Sequence, residues 1–169
     1  FALKAAIVHQ YNTVADDMTV ERLVSFGRTP HLGLMGIQGD EDEKYVEWAM
    51  EVTNITEYRN REISRLSGGQ RQLLALAAVM VLEPALLLLD EPAAGMNPSE
   101  TAELMENIRK IRDTFQIAVL LIEHDMNLVM NICEGICVLN FGHIIAKGTP
   151  DEIRSNPQVI EAYLGKKEG

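Results

Sequence analysis

Two short runs set chemistry-bearing residues at telling spacings. Leu66-Ser67-Gly68-Gly69-Gln70 places a hydroxyl, two glycines and an amide just ahead of an alanine-rich apolar stretch that reads as helix. Backbone N–H groups at a helix start, with no Cβ in the way, make an anion site. Leu86-Leu87-Leu88-Leu89-Asp90-Glu91 is an apolar run ending in two adjacent carboxylates. It reads as a buried parallel strand delivering Asp90 and Glu91 to its carboxyl end, where open α/β sheets hold ligands. One carboxylate there can hold Mg2+ through water, and the other can polarise an attacking water. Phosphate plus metal is the chemistry the two runs share. Gln10 and His124 follow apolar strand-like runs, so a metal-ligating or water-orienting amide and an imidazole can reach the same end of a sheet.

The elements that position these residues follow from local signals. Residues 3–9 read as a short strand ending at Gln10. A short helix lies between Asp16 and Gly27, with Thr19 as N-cap and Gly27 as stop. Residues 28–39, with Pro30, Gly33, Gly36 and Gly39, read as a loop. Asp40-Glu41-Asp42-Glu43 opens a helix whose apolar face is Tyr45, Trp48, Ala49 and Val52. The helix after Ser67 runs to about residue 82 and stops at Glu83-Pro84. Asn97-Pro98-Ser99-Glu100 starts another, with a buried stripe of Leu104, Ile108 and Ile111. Ile117–Ile122 is a strand, and Asp125 caps the helix after it. Residues 136–139 and 144–147 flank Phe141-Gly142 as a hairpin. Thr149-Pro150-Asp151-Glu152 and Asn156-Pro157 begin the last two helices. The alternation predicts an α/β fold with a mainly parallel sheet and a helical insert between Gln10 and Ser67.

The chain has 169 residues and can bury a real core. Its net charge of −10 argues against nucleic acid as a partner, which binds through basic patches. No apolar run reaches the roughly 18 residues that cross a membrane, and Phe1-Ala2-Leu3-Lys4 does not begin a signal peptide. Cys133 and Cys137 read as buried, reduced thiols.

The two runs resemble the signature and Walker B motifs of ATP-binding-cassette (ABC) ATPases, and the likeness extends over essentially the whole chain. Met18–Val24 and Gly27–Gly33 are similar to ATPases of siderophore and vitamin B12 importers. Pro92–Pro98, Ile122–Met126, Gly148–Arg154 and Tyr163–Gly165 are similar to those of branched-chain amino-acid importers. The resemblance implies a P-loop NTPase fold with a core formed by residues 1–10 and 66–169 and a helical subdomain over 11–65. It implies ATP and Mg2+ as cofactors, Asp90 and Gln10 as metal residues, and Glu91 and His124 as catalytic base and switch histidine. Gln10, Ser67, Gly68, Gly69, Gln70 and Asn97 (in a D-loop, Ala93–Asn97) are nucleotide-site residues by the same likeness. In this family the signature acts in trans, on ATP held by a second, head-to-tail ABC domain. G-x-x-x-x-G-K-[ST], the Walker A cradle, has no match here: Gly165-Lys166 is followed by Lys167 and lacks the earlier glycine. The expectation is a domain beginning after that loop, with the cradle about fifty residues before Gln10 by the family pattern.

The implied function is the ATPase subunit of a bacterial importer, cytoplasmic and peripheral on the inner face of the cell membrane. It would dock on a membrane permease through the 11–62 insert, where loop residues Pro30, His31, Leu32, Leu34 and Met35 offer an adaptable apolar surface. Two alternatives stay open: a lobe of a non-transport ABC ATPase, and an ABC-fold interaction module without catalysis.

Overall fold

The computed structural model describes residues 5–9, 17–32 and 38–164. Leu34, Met35 and the Gly165-Lys166 pair lie outside them. In chain order the strands and helices are β1 (Ala5–Val8), α1 (Val20–Phe26), α2 (Asp40–Val52), α3 (Gly68–Met80), β2 (Leu86–Asp90), α4 (Pro98–Phe115), β3 (Ala118–Ile122), α5 (Met126–Ile132), β4 (Ile136–Asn140), β5 (His143–Gly148), α6 (Pro150–Ser155) and α7 (Pro157–Leu164). The chain divides into two compact units, Phe1–Ile122 and Glu123–Gly169.

The first unit is built on a three-stranded parallel sheet in the order β1-β2-β3. Ile7 pairs with Leu88, which pairs with Leu120; Asp90 pairs with Ile122. β2 is therefore central, and the β2-α4-β3 crossover is the βαβ unit that the alternation predicts. β2 is not buried on both sides, as its unbroken leucine run suggested. Ala6, Val8, Leu87 and Leu89 are buried on one face, while Ile7, Leu120 and Ile122 on the other remain 49–51% exposed. The run is uniform because four leucines carry no period-2 signal, so it could not tell a covered face from an open one.

α3 lies against β1, α1 and α2. Gly27 ends α1 in right-handed geometry, not as a left-handed stop. Its role is close approach: a Cβ there would fall 2.3 Å from Val81 Cγ2 and 2.4 Å from Ala78 O. Thr19 occupies the N-cap, but its side chain makes no capping hydrogen bond. The described part of the 28–39 stretch includes a 3-10 turn, Thr29–His31. Arg28, buried at its start, donates from Nε to Asp42 Oδ1 at 2.9 Å, and from Nη1 to Val81 O at 2.8 Å and Glu83 Oε1 at 2.9 Å. Burial opposes its charge, but the two carboxylates outweigh that and hold its pKa above the ordinary value.

α2 buries Val46, Ala49, Met50 and Val52. Ala49 and Val52 of the expected face are buried, while Val46 and Met50 take the buried places expected of Tyr45 and Trp48. Tyr45 and Trp48 flank the buried set edge to face, and Trp48 meets Phe115 at 4.4 Å between ring centroids. With Met80, Pro84 and Ile117 these rings line a cavity of about 570 Å³, rimmed by Glu41, Lys44 and Glu83.

In the second unit β4 and β5 form an antiparallel hairpin. Ala146, Ile153 and Val159 form its core, with Met126, Met130, Ile136, Val138 and Ile145 packed around them. The turn residues Phe141 and Gly142 have φ of 46° and 79°, both left-handed, as a two-residue type I′ loop demands. Both cysteines are free, but only Cys133 is partly covered, and burial raises its thiol pKa; Cys137 is exposed, contrary to the buried-thiol expectation. It sits on the outward side of β4, opposite the packed alternate positions Ile136 and Val138.

Candidate functional site

The carboxyl end of β2 carries the paired acids. Asp90 leaves 42% of its side chain exposed, and Oδ2 lies 3.6 Å from His9 Nδ1. Nothing in the local sequence around His9 marks this contact. The signal that finds it is register: Val8 pairs with Leu89, so the next residue on each strand meets the other. Glu91 then turns the chain with φ of 46°. Its N–H donates to Ile122 O at 2.9 Å, and its carbonyl accepts from the Ala94 N–H at 3.1 Å. A left-handed glutamate costs on the order of 1 kcal/mol, and it carries this side chain off the line of the strand. Among the described residues no group of three or more His, Cys, Asp or Glu could hold a metal alone. Two half-buried, adjacent carboxylates do fit hydrated Mg2+, which keeps several waters and takes other ligands from a nucleotide. Gln10 lies outside the described residues.

The signature begins α3 through a capping box. The Gln70 N–H donates to Ser67 Oγ at 3.2 Å, and the Ser67 N–H donates to Gln70 Oε1 at 3.0 Å. Gly68 is open: a Cβ there would meet nothing within 4 Å. Asn97 begins α4 in the same way, its Oδ1 accepting from Ser99 N–H at 2.9 Å and Glu100 N–H at 3.0 Å. The structure brings these two helix starts together. Ser67 Oγ donates to Glu100 Oε1 at 3.0 Å, and Glu100 Oε2 accepts from the Asn97 N–H at 3.1 Å. Glu100 was read in the sequence only as a capping residue; its second partner lies 33 positions away, beyond any local signal.

His124 belongs to the second unit. Its imidazole is 76% exposed, with Nδ1 3.8 Å from Glu123 Oε2, and the Glu123 side chain is 2% exposed. That oxygen also accepts from the His124 N–H at 3.1 Å. Tyr163, on α7, donates its hydroxyl to the His124 carbonyl. Burial, then the charges of Asp125 and Glu123, raise the Tyr163 pKa, so this donor keeps its proton at neutral pH. The Asp125 carboxylate caps α5 by accepting from Asn127 N–H at 2.8 Å.

A parallel α/β sheet with paired acids at the end of its central strand, and a glycine-bearing helix start beside it in sequence, defines a domain of the P-loop NTPase type. The family described as ABC transporter matches residues 2–94, and that described as branched-chain amino acid ATP-binding cassette transporter matches residues 143–169. The chain belongs to the ABC transporter family. It is 48% identical over 126 residues to the high-affinity branched-chain amino acid transport ATP-binding protein BraF of Pseudomonas aeruginosa, covering 75% of this chain and 49% of that one. It is 33% identical over 152 residues to the petrobactin import ATP-binding protein FpuC of Bacillus anthracis, covering 90% and 56%. Both expected likenesses, to branched-chain and to siderophore importers, are thus present. The chain spans about half the length of the curated relatives it matches. Among solved structures, cbiO1 from Clostridium perfringens, part of the complex cbiONQ, superposes with a TM-score of 0.82 at 31% identity, over 95% of this chain and 62% of that one. An ATP-binding cassette of an ABC transporter, at 24% identity and a TM-score of 0.83 over 97% and 70%, shows the same fold.

Proposed function

We propose that this chain is the ATP-binding and hydrolysing subunit of an ABC importer, or a fragment of that subunit which does not turn ATP over by itself, cytoplasmic and held on the membrane by a permease. The observation that carries this reading is the Asp90-Glu91 pair, half-buried at the end of the central parallel strand. Asp90, with Gln10, would hold Mg2+, which neutralises phosphate charge when bound. Glu91 would orient the attacking water, and His124 would contact the terminal phosphate. Ser67, Gly68, Gly69 and Gln70 would close over ATP held by a second ABC domain, with Asn97 at the shared interface. The match of residues 143–169 and the 48%-identical relative favour branched-chain amino acids as the imported class. The insert over 11–62 would dock on the permease.

In the protein expressed from its complete gene, Glu91→Gln should slow hydrolysis by about a hundredfold or more, while ATP binding is kept. Parental turnover in that variant would remove Glu91 from the role of base. A second reading, a non-catalytic interaction module, is favoured by the absence of G-x-x-x-x-G-K-[ST] from the 169 residues. It requires that the same protein show no ATP hydrolysis at all.

A further inference from the structure

The contacts between the Ser67 and Asn97 helix starts form one unbroken relay. The Gln70 N–H donates to Ser67 Oγ, Ser67 Oγ donates to Glu100 Oε1, and Glu100 Oε2 accepts from the Asn97 N–H. A hydroxyl has one proton. While Ser67 gives it to Glu100, the serine can offer an arriving phosphate only lone pairs. Held in this way, Ser67 keeps one rotamer at the helix start, from which the proton can turn to an arriving phosphate oxygen, and Glu100 then loses that partner. Gly69 tightens the arrangement. The Glu100 carboxyl packs where a Gly69 Cβ would stand, 2.8 Å from Glu100 Cδ and 2.9 Å from Oε1. The side chain is thus held from two sides, by the glycine's bare Cα and by its own helix start.

We infer that Glu100 is a positioning residue for the signature. It holds the Ser67 hydroxyl and ties it to the 93–97 turn, so that an anion at the signature and the placement of that turn are coupled. By reciprocity, whatever moves the turn changes the readiness of Ser67 to donate. The inference rests on the reading of Ser67 as a phosphate ligand. It adds a residue to which that reading gives no part, and it joins two motifs that lie some thirty positions apart.

The test is a double-mutant cycle in the protein expressed from its complete gene. Ser67→Ala and Glu100→Ala should each lower kcat by about tenfold, with KM for ATP changed by less than about twofold. The double variant should be no slower than Ser67→Ala alone. Glu100→Gln should recover most of the loss, since its amide oxygen still accepts from the hydroxyl. Losses that multiply in the double variant, or a Glu100→Ala enzyme with parental kcat, would overturn the inference. An inactive parent would instead defeat the proposed function. Should Glu100→Ala not fold, Ser67→Ala still decides: removing the hydroxyl should shift the Asn97 and Ser99 amide resonances, and resonances left unmoved would sink the relay.

Discussion

A methyl group added at Gly69 would strike the Glu100 carboxyl at 2.8 Å, whereas one at Gly68 would meet nothing within 4 Å. Adjacent glycines in one motif therefore answer to different demands. Gly69 makes room for a side chain of its own molecule. The space beside Gly68 Cα is open, which suits close approach by a ligand from outside. Gly69→Ala should push Glu100 off Ser67 and destabilise the fold by about 1 kcal/mol, the net worth of one such hydrogen bond. Gly68→Ala should leave stability unchanged or raise it by about 0.4–1 kcal/mol through the unfolded chain. Paired thermal melts check both, and a Gly68→Ala variant that melts earlier than Gly69→Ala would reverse the assignment. The sequence shows two glycines and cannot rank them, because what separates them is a glutamate in another helix. The contact of His9 is illegible for the same reason: its partner Asp90 is a neighbour only once β1 and β2 are in register.

At the level of elements, starts and stops were legible because their signals are local. The capping boxes at Ser67, Asn97 and Thr149 each need only residues within three positions. Arg28 was illegible because two of its acceptors, Val81 O and Glu83, lie 53 and 55 positions away. Arg28→Ala should cost about 3 kcal/mol, since it strips a buried cation from two carboxylates and a carbonyl; denaturant unfolding measures it. In the hairpin, Phe141 is 96% exposed yet left-handed. Asn, which tolerates that geometry, should stabilise the turn by about 0.5–1 kcal/mol as Phe141→Asn. An earlier melt would mean that the ring packs in a way its exposure does not reveal. The caps also set the acid response. The Gly39 N–H, then Arg28, lowers the Asp42 pKa; the Thr149 N–H, then its hydroxyl, lowers that of Glu152. Both groups favour the folded state when ionised. Their contribution is whole above about pH 5 and is lost as pH falls through the lowered values, below about pH 4. Glu152→Gln should flatten that part of the melting-temperature profile.

For the molecule as a whole, fold class was legible and face coverage was not. Alternating strands and helices announced a parallel sheet, but the leucine run of β2 hid the open face that Ile7, Leu120 and Ile122 share with Asp90. Solvent-exposed apolar rows of this kind bind hydrophobic dyes, so the 169-residue chain should enhance anilinonaphthalene sulfonate fluorescence in its native state, and Leu120→Glu should reduce the signal. The same chain should bind ATP weakly and not turn it over. It lacks the glycine-lysine cradle, whose charge-assisted hydrogen bonds are worth about 1.5–3 kcal/mol each. Steady turnover by the purified chain, abolished by Glu91→Gln, would contradict this. The division at Ile122/Glu123 also distributes the molecule's natural probes. The one tryptophan, Trp48, reports from the first unit, and both thiols, Cys133 and Cys137, report from the second. Intrinsic fluorescence and thiol-labelling rates, followed in one titration without any engineered label, therefore read the two halves separately. Where the curves part company, the difference is the independence of one half from the other.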